Sequence, residues 1–402
     1  MNDMSSAQTD APQAAPRTGR SASWRALVWV VLPLAVFALA VWWLYSANIL
    51  SAFNNGAPPV ENLTYERTIL DAEGLRVLVR AGGSEPMTIA QVMVDDAYWQ
   101  FTQEPPGPLS RGETAWISLP FPWVLGEAHF VNILTSTGTA FEHEIAVAVA
   151  TPTDGSVSFS SQAILGLFVG VLPVAIGLMF YPALRGIGRG GMDFLLALTV
   201  GLLAFLLVDT LEDALEFAGE AAAIFQGPTM VILAAVASFL ILMAVARRNG
   251  APTGLALATF IAIGIGLHNL GEGLAIGAAF ATGAAGLGTF LVLGFTLHNI
   301  TEGIGIAAPI VKERPPLWVF PVLALIAGGP AVIGLWIGSL AFAPHWSALA
   351  LAIGAGAILQ VIVEVTAMLQ RGGYPRLFSV PVVAGLFVGV AFMYATAALV
   401  KI

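Results

Sequence analysis

The chain has 402 residues, of which 57% are hydrophobic and 10% charged, with a net charge of −9 and no cysteine. A mean hydropathy of +0.83 excludes an ordinary soluble protein, and the lack of cysteine excludes disulfides and thiolate metal ligands. The acidic balance argues against a nucleic-acid partner and suits a chain that deals with a lipid bilayer and with cations.

Residues 1–23 are rich in Ser, Ala, Gln and Pro and read as a disordered cytoplasmic tail. Residues 24–45 form an apolar run broken only by Arg25, long enough to span a bilayer, and are expected to be an uncleaved membrane anchor. Between 46 and 160 charges return and short alternating stretches appear, such as Arg76–Arg80, Ala115–Leu119 and Glu144–Val149. Turn residues such as Ala81-Gly82-Gly83 and Pro105-Pro106-Gly107-Pro108 separate them, a pattern that predicts an extracytoplasmic β-sandwich. His129 and His143 lie in this region, and histidines among strands are more often structural than metal ligands.

Residues 161–402 hold eight further apolar segments, roughly 161–184, 193–217, 228–246, 253–281, 287–311, 316–342, 346–369 and 378–400. With the N-terminal tail inside, the connectors expected inside carry Arg185, Arg189, Arg247, Arg248, Lys312, Arg314, Arg371 and Arg376. The short ones near Gly227, Ala285 and Pro344 carry neither Lys nor Arg, so every loop obeys the positive-inside rule. The fold class is therefore a polytopic α-helical membrane protein of nine spans, with the β domain and Lys401–Ile402 outside. The setting implied is a bacterial-type inner membrane.

Two of these segments carry the chemistry. His268-Asn269-Leu270-Gly271-Glu272-Gly273 recurs thirty residues later as His298-Asn299-Ile300-Thr301-Glu302-Gly303. Residues four apart share a helix face, so each copy pairs an imidazole with a carboxylate in the middle of a span, where ionisable groups are costly and functional. A short turn joins the two helices, which makes them antiparallel and implies a local twofold pseudosymmetry around one midplane site. Nitrogen with carboxylate oxygen suits zinc, iron, manganese or cobalt better than calcium or magnesium. Asp209, Glu212 and Asp213 lie toward the outer end of the second core segment as candidates for cation entry. Gln360 and Glu364, again four apart in the seventh, are candidates for a ligand or proton carrier. Pro321 and Pro330 in the sixth can free backbone carbonyls by kinking it, and His345 beside Trp346 is expected at the interface.

At these motifs the chain resembles the ZIP (Zrt- and Irt-like) family of divalent-metal transporters, over about residues 161–402. The resemblance implies an eight-helix ZIP-like core with both ends outside, and His268, Asn269, Glu272 and Gly273 match the fourth-helix motif of the family. His298 and Glu302 match the fifth-helix motif, and Asp209-Thr210-Leu211-Glu212-Asp213 is a weaker match to the second. Asn299 and Ala331 stand where two-metal members carry acidic residues, so one principal metal is expected, held by His268, Glu272, His298 and Glu302 with Asn269 and Asn299 secondary.

The implied activity is import of a divalent cation as the transported substrate, with zinc as the best fit and iron, manganese or cadmium as alternatives. No organic cofactor or nucleotide is expected, since no Gly-x-x-x-x-Gly-Lys-Ser/Thr occurs. The assembly is left open, with a homodimer considered. An intramembrane metalloenzyme and a metal-responsive sensor or receptor are the rival classes; the enzyme lacks the support of a His-Glu-x-x-His motif.

Overall fold

A computed structural model describes residues 24–46, 60–145, 147–151, 159–248, 250–281, 285–340, 343–370 and 377–400. The expected N-terminal tail, the connector with Arg371 and Arg376, and Lys401–Ile402 lie outside the described residues. The chain divides into two compact units, Met1–Pro58 and Pro59–Ile402. Of the first unit, helix α1 (Trp24–Ser46) is described, and its described side chains, among them Leu34, Phe37 and Trp42, are all exposed. An apolar helix with no buried stripe is suited to lipid rather than to a protein core.

The second unit begins with eight strands. These are β1 (Leu63–Asp71), β2 (Gly74–Ala81), β3 (Ile89–Val94), β4 (Ala97–Trp99), β5 (Thr102–Glu104), β6 (Thr114–Leu119), β7 (His129–Thr135) and β8 (Ala140–Ile145). They form two antiparallel sheets, ordered β1-β2-β6-β5 and β4-β3-β7-β8. The alternation of Leu75, Val77 and Val79 on β2 and of Val131 and Ile133 on β7 puts every second side chain into one core, the reason the two sheets stack. Two aspartates, Asp95 and Asp96, both with positive φ, make the tight β3–β4 turn, a conformation that Asp tolerates better than most residues. The expected strand Glu144–Val149 is cut short. β8 ends at Ile145, and Ala148 turns inward, exchanging backbone hydrogen bonds with Gly126 and Glu127.

His129 and His143 lie apart in the sandwich, each held by neighbours of the β domain. His129 Nδ1 lies 2.7 Å from Asp95 Oδ2, and its Nε2 faces the Val124 N–H. His143 stacks on Tyr65 with ring centroids 4.7 Å apart, and its Nε2 is 3.1 Å from Thr68 Oγ1. Burial pushes His143 below its ordinary value of 6.5, because the charged ring would be desolvated. The unfolded chain then takes up a proton more readily than the folded one. Stability from this group is full above its unfolded value and is lost as pH falls from there through the folded value. Lowering the pH from about 7.5 to about 5.5 should therefore reduce the thermal midpoint, and His143→Phe, which keeps the ring stack, should flatten that dependence. An identical pH profile in both proteins would remove His143 as its cause.

The helical part follows: α2 (Phe159–Gly166), a π turn (Leu167–Val171), α3 (Leu172–Met179), α4 (Tyr181–Leu184) and α5 (Arg189–Glu220). After a short turn (Ala223–Phe225) come α6 (Gly227–Ala246), α7 (Gly254–Ala281), α8 (Ala285–Ala307), α9 (Val319–Gly328), α10 (Pro330–Leu340), α11 (Pro344–Gln370) and α12 (Val380–Val400). Among the described residues, seven helical stretches are long and apolar enough to cross a membrane, so the chain is a multi-pass membrane protein. The anchor and last segments are helices with shorter described apolar stretches, Val31–Trp43 and Val380–Ala395.

Two expected spans are irregular. The first core span contains the π turn just before Pro173, and the sixth breaks between α9 and α10 at Pro330, whose missing N–H cannot continue the ladder. Pro321 sits in the first turn of α9, where a missing N–H costs little.

The helices pack in two groups. α2, α3, α7, α8, α9 and α10 form one; α5, α6, α11 and α12 form the other; and α11 also runs along α7. Within each group glycines let backbones touch. A Cβ added at Gly273 would collide with the Ala331 carbonyl, and one at Gly201 with the Leu386 carbonyl.

The β domain rests on the helix ends at Glu220, the turn Ala223–Phe225 and His345. Arg80 makes two hydrogen bonds to Glu66, at 2.5 and 3.0 Å, and a third to the Gly112 carbonyl at 2.6 Å, and it lies over the Phe225 ring. Phe225 stacks on His345, whose Nδ1 is 3.7 Å from Glu66 Oε1. His345 is thus buried at the junction between the β domain and the helix ends.

Candidate metal centre

α7 and α8 carry the two motifs near their middles, and their antiparallel crossing brings the motifs together. On α7, His268 Nε2 is 2.9 Å from Glu272 Oε1, one turn away, and His298 Nε2 of α8 reaches the same oxygen at 2.7 Å. One ligand atom from each of these three residues lies within 4.8 Å of the others, and all three side chains are buried. Ligands at about 2.0–2.2 Å from one metal stand about 3.4 Å from one another, so the two close His–Glu contacts would open slightly around an ion. Gly354 of α11 lets that helix approach the His268 backbone closely, and Phe295 stands edge-on to His298.

Glu302 is the fourth expected ligand, and the structure places it beside this trio rather than in it. It is 3% exposed, and neither carboxylate oxygen has a hydrogen-bond partner; Glu272 Oε2 and His268 Nδ1 are also unpartnered. Three carboxylate oxygens that meet no hydrogen-bond geometry in a buried site are expensive, and a cation is one group that would satisfy them. The donor set, two imidazoles and two carboxylates, fits a borderline divalent ion.

The asparagines do something else with part of their amides. Asn269 Nδ2 donates to the Ala327 carbonyl at 2.9 Å, just before the α9–α10 break, and Asn299 Nδ2 donates to the Val169 carbonyl at 3.0 Å, inside the π turn. Each motif thus ties its helix to a carbonyl at an irregularity in a neighbouring helix, in pseudosymmetric fashion. The Oδ1 atoms of both are buried and unpartnered, the atoms that remain for an ion. Ala331 is buried with its backbone against Gly273 and its methyl facing Gly170, a seam closed to a carboxylate side chain.

The remaining candidates separate by position. Asp209 on α5 is half-buried and close enough to His298 to interact with it electrostatically, whereas Glu212 and Asp213 are exposed. Gln360 is 1% exposed with both amide atoms unpartnered and packs against Gly264, one turn of α7 from His268. Glu364, a turn further, accepts a hydrogen bond from Arg247 Nε at 3.0 Å and so pins α11 to the end of α6.

A cavity of about 10 Å³, room for roughly one water-sized body, opens beside His298 and Glu302. Its other walls include Thr199 and Met393, which no local motif marks, and Thr301, inside the second motif. No protein-family model matches the chain, and comparison with curated proteins finds no match either.

Proposed function

We propose that the protein is a ZIP-like secondary transporter that moves a divalent metal cation, zinc above all, across the membrane toward the cytoplasm. The observation that carries this reading is the trio His268, Glu272 and His298 with the unpartnered Glu302 carboxylate, buried at the middle of two antiparallel helices. The ion is cargo: the imidazoles and carboxylates replace its water, and its charge offsets theirs. Because those ligands must shed protons to bind it, uptake competes with protons.

The two helix groups supply a way for the cargo to change sides. α7 and α8 carry the trio in one group, and that group would move against α5, α6, α11 and α12, which carry the described contacts of the β domain. The positive-inside pattern sets only which helix ends face the cytoplasm; import is the direction that the ZIP-like resemblance implies.

The test is uptake of zinc, ferrous iron, manganese and cadmium by the full-length protein in proteoliposomes. Time-dependent accumulation of at least one ion, slowed by external acid, is expected. Metal binding without flux would favour the sensor, and metal-dependent hydrolysis by the purified protein would favour the enzyme.

A further inference from the structure

The cavity beside Glu302 has a donor that the paired motifs do not supply. It lies between the two helix groups: His298, Thr301 and Glu302 come from α8, Thr199 from α5 and Met393 from α12. Glu302 brings to it a buried carboxylate whose oxygens meet no hydrogen-bond geometry, with the Asn269 side chain and the two imidazoles nearby. Thr199 Oγ1 donates to the Leu195 carbonyl at 3.0 Å and Thr301 Oγ1 to the His298 carbonyl at 2.6 Å. Both hydroxyl protons are therefore spent on backbone, and what the oxygens still have to offer is lone pairs. Leu202, Leu203 and Leu206 make the rest of the wall apolar, a setting in which leucine would be the ordinary filler at the α12 position. Met393 is 5% exposed there instead, and in a chain without cysteine the thioether is the softest donor available.

We infer that Met393 is a specificity-determining residue: its Sγ and the Glu302 carboxylate receive the ion together at the seam between the helix groups, selecting borderline and soft divalent ions over hard ones. The inference rests on the transport reading above and names its substrate class. Zinc and cadmium accept a sulfur ligand, whereas manganese, magnesium and calcium prefer oxygen. Because Met393 and Glu302 belong to different groups, the mixed donor set exists only when the two groups stand as they do here. Selection would then occur at one stage of the movement.

The experiment uses the full-length protein in nanodiscs, wild type and Met393→Leu, a substitution close in volume and polarity that preserves packing. Cadmium, zinc and manganese binding are measured directly, and cadmium-edge X-ray absorption reads the ligand atoms. The wild type should show a sulfur scatterer that Met393→Leu lacks, and the preference for cadmium over manganese should fall by about tenfold, the lower end of what losing a supporting group costs a metal site. No sulfur in the wild-type shell, or an unchanged preference in the variant, overturns the inference while leaving transport intact. Absence of binding of any of the three ions by the wild type overturns both.

Discussion

Glu272→Ala protein, reconstituted in proteoliposomes, is expected to lose metal uptake by at least about 100-fold, the upper end of what removing even a supporting partner costs a metal site. The carboxylate holds two imidazoles at once, at 2.9 and 2.7 Å, so alanine removes one ligand and releases the geometry of two more. Glu302→Ala should also abolish flux, for a different reason: it removes the carboxylate that faces the seam between the helix groups, and the trio on α7 and α8 stays in place. Equilibrium zinc binding separates the two. It should be lost in Glu272→Ala and weakened but measurable in Glu302→Ala. Glu85→Ala, an exposed position in the β domain, is the control and should transport like wild type. Wild-type flux in both site variants would remove the midplane centre from the mechanism.

Arg80→Met is expected to destabilise the protein by about 3–5 kcal/mol, the usual cost of stranding one member of a buried ion pair. Glu66, its side chain 2% exposed, loses both guanidinium hydrogen bonds and keeps only His345 at 3.7 Å. The same change removes the cation from above Phe225 and the hydrogen bond to the Gly112 carbonyl, so the β domain loosens from the helix ends. The thermal midpoint should fall, and protease should cut within the β domain more readily. Arg80→Met combined with Glu66→Leu should recover most of the loss, since an apolar pair leaves no charge unpaired. A single variant as stable as wild type would show that the junction holds without the pair.

The division between local and long-range information is visible in individual residues. His268 with Glu272, and His298 with Glu302, are legible because a helix repeats every 3.6 residues and puts such pairs on one face. That Glu272 Oε1 serves both histidines while Glu302 turns to the seam depends on how α7 crosses α8, which no local spacing encodes. Asn269 and Asn299 read as ligand-type residues, yet their amide hydrogens go to Ala327 and Val169. Those carbonyls matter because Pro330 and the π turn disturb two other helices, distant in the chain. Glu364 reads as a lone acid in an apolar span, and its partner Arg247 sits at the end of a helix more than a hundred residues earlier. The β strand expected to run to Val149 stops at Ile145, because Ala148 finds a place in the sandwich core that strand continuation would have denied it.

Read alone, the sequence determines that this is a multi-pass membrane protein with a strand-rich insert, because hydrophobic length and period-two alternation are local properties set by transfer of side chains out of water. It also marks which residue types share a helix face in two apolar segments, through a motif that occurs twice. Tertiary structure alone decides which oxygen bridges the imidazoles, which carboxylate faces the seam between the helix groups, and that Met393 and Thr199 share a cavity with Glu302. Those choices follow from backbone contacts at glycines such as Gly273 and Gly201, where helices approach too closely for any other residue, and they set distances between residues far apart in sequence.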